Sequence, residues 1–453
     1  MAGHSNVRCA EGAGFCEWER VPLREPRRTL ECPATTVTRR WTGQSLLSTS
    51  VSRISSLAAN LRSLPPAAWI LFGGTFINRF GSVVVPFLIL YLTRQGYTIP
   101  QAGLAIGMYG LGNLLAAAAG GWLADHFGRR NTIALSMFSS AASMLALSQV
   151  RGLWPTLLTA CLAGLTTELY RPASAALLAD LVPEGKRVTA FAVYRLAINL
   201  GFASGPAAAG FLAERSFLLL FVGDALTSCL FGIVALTALP PGLLAPPRDD
   251  GTGGWGEALR AVSHDRAFIR FLFASVCITL VDFQLGSTFA LHVSAVGLPN
   301  TAYGLLLSLN GVLIVVFELF LTTLTEGRNP RRVLALGFLL AGVGVGFTGL
   351  STTFFALAIT VTIFTFGEMI SSPVAGAYVA DLAPQALRGR YMGLWGMTWS
   401  VGLMLGPPLG TLVFARSPAV LWAGCAVLGV LGAALVILER GGAGTRASET
   451  TSA

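Results

Sequence analysis

The sequence predicts an all-α membrane protein: twelve transmembrane helices in two six-helix, pseudo-symmetric bundles. Three observations carry that expectation. Only 12% of the residues are charged, 53% are hydrophobic and the mean hydropathy is +0.66. A soluble domain carries roughly 25% charged residues, so this chain is short of the charge needed to solvate a surface. Uncharged apolar stretches long enough to cross a bilayer, which takes about 20 residues, recur along its length. They do not show the short alternation of a membrane β-barrel. Finally, the chain repeats itself at one constant offset. Ala179-Asp180-Leu181-Val182-Pro183 returns as Ala380-Asp381-Leu382-Ala383-Pro384, Arg187 as Arg388, Gly201 as Gly402, and Gly205-Pro206 as Gly406-Pro407. Asp125 and Glu326 keep the same spacing.

Taken in order, residues 1–62 are rich in Arg, Ser and Thr and have no sustained helical period. They lack the central apolar run of a secretory signal, and read as a disordered N-terminal extension. Apolar segments follow near 66–92, 101–124, 131–150, 154–179, 189–213 and 217–239, making an N-terminal bundle within 63–240. The next six, near 269–293, 302–325, 332–350, 354–379, 391–414 and 419–438, make a C-terminal bundle within 269–438. Between the bundles, 241–268 holds Pro246-Pro247, a Gly-rich run and an amphipathic piece from Trp255 onward, and reads as a cytoplasmic linker. Residues 439–453 are expected to form a cytoplasmic tail.

The net charge is +9, and the basic residues gather in short loops. One set of loops holds Arg129, Arg130, Lys186, Arg187, Arg260, Arg266, Arg328, Arg331, Arg332, Arg388 and Arg390; the opposite set holds Arg94, Arg151, Arg215 and Arg416. The richer side is cytoplasmic by the positive-inside rule. Both termini are then cytoplasmic, in a plasma membrane or bacterial inner membrane. The same distribution accounts for the positive charge without a nucleic-acid partner. Cys161, Cys229, Cys277 and Cys425 fall in apolar helices as small buried thiols. Cys9, Cys16 and Cys32 lack C-x-x-C spacing, so neither a metal nor a cofactor is expected.

One turn carries a specific signature. Gly121-Trp122-Leu123-Ala124-Asp125-His126-Phe127-Gly128-Arg129-Arg130 interrupts two uncharged stretches, 103–124 and 131–150. Gly121 admits close approach of a neighbouring helix. Gly128 supplies a positive φ in a tight turn, and Asp125 sits at a helix end where an Arg or a helix N-terminus stabilises a carboxylate. The spacing G-x-x-x-D-x-x-G-R-R resembles the loop between the second and third helices of the major facilitator superfamily of secondary transporters; His126 stands where a basic residue is usual. That resemblance spans about 66–438. It implies that Gly121, Asp125, Gly128 and Arg129, with Asp180 as ionic partner, form a conformational gate locking the two halves on the cytosolic side. The second copy, from Thr322 to Arg332, keeps Glu326 and Arg331 and loses both glycines at the matching positions.

In segment five, Gly201-x-x-x-Gly205-Pro206-x-x-x-Gly210 combines a kinking proline with a smooth glycine face. It resembles the antiporter motif of drug:proton exporters in that superfamily, with Ala209 in place of one glycine; segment eleven repeats it around Gly402, Gly406, Pro407 and Gly410. The stretch Ala160-Cys161-Leu162-Ala163-Gly164 lacks the Arg that many such exporters carry in segment four, and Arg171 lies lower in the same helix.

Ionisable groups at bilayer depth are costly unless paired or facing water, and so mark function by default. Arg79 and Asn78 lie in segment one, Glu168 and Arg171 in segment four, Asp282 and Gln284 in segment seven, and Glu368 in segment ten, close to the repeat position of Glu168. Arg195 and Glu318 lie nearer the cytosolic ends and Asp224 nearer the outer end. Glu168 and Arg171 are one turn apart and can pair. Asp282 and Glu368 have no evident cation in their own half. The expected site is a central cavity in which Asp282, Glu368 and Glu168 carry protons. Asn78, Arg79, Arg171 and Gln284 face substrate.

The implied function is proton-coupled export of small amphipathic molecules or drugs by alternating access. The expected partners are that small molecule, protons and the lipid bilayer, with the protein acting as a monomer. An importer of sugars or other metabolites is the alternative on the same fold, and a channel or sensor a third. The sequence holds no H-E-x-x-H and no G-x-S-x-G, the signatures of a zinc hydrolase and a serine nucleophile, so no enzyme is expected.

Overall fold

The computed structural model describes residues 61–242 and 255–438. Nearly all of the expected N-terminal extension, the middle of the linker and the C-terminal tail lie outside the described residues. The helices are α1 (Pro66–Gly81), α2 (Val84–Arg94), α3 (Ile99–His126), α4 (Arg129–Gln149), α5 (Leu153–Glu168), α6 (Tyr170–Leu181), α7 (Arg187–Arg215) and α8 (Leu218–Ala238). After the linker come α9 (Trp255–His264), α10 (Arg266–Leu285), α11 (Thr288–Ala295), α12 (Asn300–Thr325), α13 (Pro330–Gly346), α14 (Phe354–Leu382), α15 (Arg388–Arg416) and α16 (Pro418–Ile437). No strand occurs among the described residues.

Local chemistry sets the helix ends. α3 opens on a capping box, in which the Gln101 amide donates to Thr98 Oγ1 at 3.4 Å and the Thr98 amide donates to Gln101 Oε1 at 3.0 Å, satisfying two amides that a helix N-terminus leaves unpaired. α4 starts from Gly128 at φ +84°, a backbone conformation that favours glycine. In the repeated turn the left-handed glycine is Gly327, at φ +75° directly after Glu326. The second copy has therefore moved its turn glycine toward the acid rather than lost it.

Among the described residues nine helices are long and apolar enough to cross a membrane, or ten if the bent α3 counts as one span. The first and seventh predicted spans are interrupted by short breaks, α1 to α2 and α10 to α11. Two of the twelve predicted spans fall outside that criterion. α4 carries Ser136, Ser139, Ser140, Ser143 and Ser148, which lower its hydropathy. Three of these serines face the fourth predicted span: Ser136 donates to the Thr166 carbonyl at 2.5 Å, and Ser140 and Ser143 bond the Thr167 and Thr166 hydroxyls at 2.8 and 2.9 Å. Polar side chains joining helices in this way replace apolar surface as the glue. The fourth predicted span breaks at Leu169 into α5 and α6, each too short to cross alone.

The sequence repeat reappears as a repeat of packing. α1 rests on α7 and α8 as α10 rests on α15 and α16; α4 on α8 as α13 on α16; α3 on α5 as α12 on α14. The turns repeat to the atom: Arg187 Nε donates to the Ala179 carbonyl and Arg388 Nε to the Ala380 carbonyl, each at 3.2 Å. Two further pairs join the repeats, α3 with α15 and α7 with α12, each the image of the other. These two seams are tight at one end. A Cβ added at Gly103, Gly107 or Gly110 of α3 would come within 3 Å of Thr411, Pro408 or Met404 of α15, and one at Gly304 of α12 would lie 2.2 Å from the Pro206 carbonyl of α7. Toward the Asp125 end, a Cβ at Gly121, Gly389, Gly393 or Gly396 would meet nothing within 4 Å. Close glycine contacts thus zip the halves at one end of these seams.

Candidate functional site

The intramembrane charges fall into two separate groups. In the first half, Arg79 from α1 reaches Glu168 at the end of α5, Nη1 to Oε1 3.2 Å, and Arg171 from the first turn of α6 takes Oε2 at 3.2 Å. The break between α5 and α6 places Glu168 and Arg171 one turn apart on one face. Arg79 and Glu168 are buried, with the Arg79 guanidinium 5.3 Å from the Tyr170 ring centroid and 5.5 Å from that of Phe202. Arg171 is exposed. One carboxylate thus holds two guanidiniums, leaving a local excess of one positive charge. Asn78 lies on another face of α1. Its amide donates to Ser228 Oγ at 3.3 Å, which donates to Asp224 Oδ1 at 3.3 Å. This chain of bonds sits between α1 and α8, and Asp224 is 1% exposed.

In the second half, Asp282 of α10 and Glu368 of α14 line one small, partly open pocket with a cavity volume of about 40 Å³. The wall also has Trp395 and Trp399, one turn apart on α15, and the hydroxyls of Ser275, Thr279, Ser371, Ser372 and Thr398. Glu368 accepts from Asn310 Nδ2 of α12 at 3.1 Å, and the same amide donates to Thr365 Oγ1 at 3.0 Å. Both acids are only partly buried, so they face the pocket rather than a sealed core. Gln284, two residues beyond Asp282, points elsewhere. Its amide donates to the Leu280 and Gly406 carbonyls at 2.8 and 3.0 Å, its carbonyl accepts from Thr288 at 2.8 Å, and it is 4% exposed. It fastens the α10–α11 break to α15.

Structure therefore brings Asp282 and Glu368 together and Arg79, Glu168 and Arg171 together, with Asn78 and Gln284 in helix packing. Sequence reading missed Asn310, Trp395 and Trp399. An amide inside an apolar helix is a readable signal for the first; the two tryptophans share a helical face but carry no motif. Among the described residues no group of three or more His, Cys, Asp or Glu is placed to hold a metal ion.

At the turn, Arg129 forms an ion pair with Asp180 and donates to the Ala176 carbonyl at 3.1 Å. This ties the start of α4 to α6. Asp125 is exposed. The close helix approach comes one residue before Gly121: a Cβ on Gly120 would lie 2.7 Å from the Leu169 carbonyl, at the α5–α6 break. The glycine–proline motif of α7 has two faces. Gly201 and Gly205 pack on Arg79, Phe80 and Val83, whereas Gly210 packs on Asn300 and Thr301 of α12. Beside Pro206, the Ala207 amide donates to Ser308 Oγ across the seam at 2.9 Å.

The paired-repeat helical bundle is matched by comparison with known proteins. The sequence model of the Major Facilitator Superfamily matches residues 71–299 and again 271–452. The chain belongs to that superfamily. It is 29% identical to the uncharacterized MFS-type transporter YqjV of Bacillus subtilis, over 77% of this chain and 86% of the relative. It is 25% identical to a Na(+), Li(+), K(+)/H(+) antiporter of Planococcus maritimus, over 74% and 87%. It is 26% identical to the multidrug resistance protein MdtH of Aeromonas salmonicida, over 79% and 90%. The fold is similar to that of the nucleoside transporter NupG, with a TM-score of 0.72 at 16% identity over 82% of this chain and 99% of that one. The protein is thus a superfamily secondary transporter, an integral membrane protein handling a small molecule.

Proposed function

We propose that this transporter couples protons to the export of small amphipathic molecules, organic cations foremost. It would act as a monomer of twelve spans with both termini cytoplasmic, in a bacterial plasma membrane. The observation that carries the reading is the pocket where Asp282 and Glu368 stand beside Trp395 and Trp399. Two carboxyl groups attract a cation or retain protons, and two indole faces favour an organic cation over a hydrated ion. Protons and cargo then compete for the same charge, which is the logic of exchange. The names of the relatives, an antiporter and a multidrug resistance protein, agree with this direction of transport.

In an alternating-access cycle the zipped end is the closed one. With the Asp125 side cytoplasmic, this conformation opens inward, and the gate residues Gly121, Asp125, Gly128, Arg129 and Asp180 belong to the end that must close in the next step. The test is uptake of a panel of cationic, neutral and anionic compounds into inverted vesicles under an imposed pH gradient. Saturable, gradient-driven cation flux that disappears in Asp282→Asn and Glu368→Gln supports the reading. Flux in the opposite sense would make the protein an importer, and flux without saturation or counter-flow would make it a channel.

A second reading has its own observation. Five hydroxyls line the same pocket, and hard oxygen ligands suit an alkali cation. Sodium-for-proton exchange at Asp282 and Glu368 is the outcome that would replace the organic cation, and the same vesicles read it with a sodium-sensitive dye.

A further inference from the structure

A second cavity, of about 400 Å³, opens on the face opposite the Asp125 turn. That volume is in the range of small-ligand sites. The cavity lies among three connections of the first half: α2 to α3, α4 to α5, and α7 to α8. Arg94, which ends α2, and Arg151, which precedes α5, both line it. Arg215, the last residue of α7, directly precedes Ser216 of the wall. Of the arginines expected on this face, Arg94, Arg151, Arg215 and Arg416, three thus gather at one place. No ion pair among the described residues includes any of those three. The neighbouring acid, Glu214, is engaged by α12, where the Thr301 amide donates to its Oε1 at 3.0 Å. Both lining guanidiniums are held in place. Arg151 Nη1 donates to Gln95 Oε1 at 2.5 Å, and the Arg94 guanidinium stands 4.9 Å from the Phe217 ring centroid. Phe217 packs in turn on Tyr91, whose hydroxyl donates to the Ser148 carbonyl at 2.7 Å. Both rings are buried and give the cavity a firm floor.

We infer that this cavity binds a phosphate-bearing anion, and that its occupant is the headgroup of an anionic phospholipid from the leaflet on this face. Guanidiniums match phosphate oxygens in charge and in planar, two-bond geometry. Basic pockets between spanning helices are where anionic headgroups are held. The rim argues for a lipid over free phosphate. Leu218 of the wall is exposed, as is Leu145, one turn before Gln149 of the wall. Trp154, in the first turn of α5, is 75% exposed, and a tryptophan at this level belongs to the membrane–water interface. An acyl chain can lie along these side chains while its phosphate sits between the arginines. Every wall residue belongs to the first half, so the headgroup travels with that half as the two rock and need not leave during a cycle. It staples three chain connections together. The inference depends on neither the nature of the cargo nor the direction of transport.

The experiment titrates purified full-length protein, in neutral detergent, with short-chain phosphatidylglycerol. It follows the thermal unfolding midpoint and the lipid-bound peak in native mass spectrometry. A ligand that binds only the folded state raises the midpoint. Phosphatidylglycerol is expected to raise that of the wild type; phosphatidylcholine, whose phosphate carries a compensating charge, is not. In the Arg94→Gln, Arg151→Gln double variant the concentration giving half-occupancy should rise more than about tenfold, the loss expected for even one hydrogen bond to a charged group. Each variant is read against its own lipid-free midpoint, so lowered stability does not mimic lost binding. Arg151→Gln alone leaves Arg94 on Phe217 and should weaken binding in the same direction. Arg416→Gln, which removes an arginine of the same face in the other half, should bind like wild type. Equal shifts with both lipids, unchanged half-occupancy in the double variant, or equal weakening in Arg416→Gln would overturn the inference. Inorganic phosphate that stabilises as well as phosphatidylglycerol at equal concentration would overturn the lipid assignment and put a soluble anion in its place.

Discussion

Glu168 and Asp282 are both carboxylates at bilayer depth, yet their surroundings give them different tasks. Glu168 is clamped by two guanidiniums, one of them buried, whereas Asp282 opens onto the pocket. Breaking a buried ion pair by removing one partner leaves an uncompensated charge and costs about 3–5 kcal/mol. Glu168→Gln is therefore expected to lower the thermal unfolding midpoint of the purified protein sharply, while Asp282→Asn leaves it in place and abolishes proton-driven flux. Equal loss of stability in both would erase the distinction. Spacing along one helix made the Glu168–Arg171 pair legible. The bond from Arg79 was not, because it spans 89 positions of sequence and depends on how α1 rotates against the α5–α6 break. The same limit hid Gln284: its polarity was visible, but its use in holding α10–α11 against α15 was not.

At the scale of the helix, glycine means contact only where a partner helix is present. Gly304 faces the Pro206 carbonyl across the α7–α12 seam, and an added Cβ would lie 2.2 Å from it. Gly304→Leu is expected to wedge the zipped end apart, exposing it to membrane-impermeant thiol labelling of cysteines introduced beside it and cutting transport more than tenfold. Gly121 is the counter-case, with nothing within 4 Å of an added Cβ in this conformation. If its close packing belongs to the opposite state, Gly121→Leu should leave the unfolding midpoint unchanged and slow transport. Unaltered transport in that variant would remove Gly121 from the gate. The helices themselves were largely readable from their apolar lengths and from the repeat. The breaks at Ser82, Leu169 and Gly286 were not, since each falls within a predicted span. The low hydropathy of α4 makes sense only once its serines are seen bonded to Thr166 and Thr167.

For the whole molecule, the duplicated packing places two image-related seams between the halves, zipped at one end by close glycine contacts. The fold was visible in sequence because a turn signature, an internal repeat and long apolar runs all depend on local spacing. The pocket was half visible: its acids declared themselves by their cost in an apolar helix, but its tryptophans and Asn310 had to be brought together by tertiary packing. The central claim is that cargo and protons compete for Asp282 and Glu368. The most direct measurement is proton release when purified wild-type protein, in weakly buffered detergent solution, is mixed with a saturating organic cation. The account predicts release from the wild type that disappears in the Asp282→Asn, Glu368→Gln double variant and is weak or absent with neutral compounds. Cation binding without proton release, or release that survives in the double variant, would contradict it.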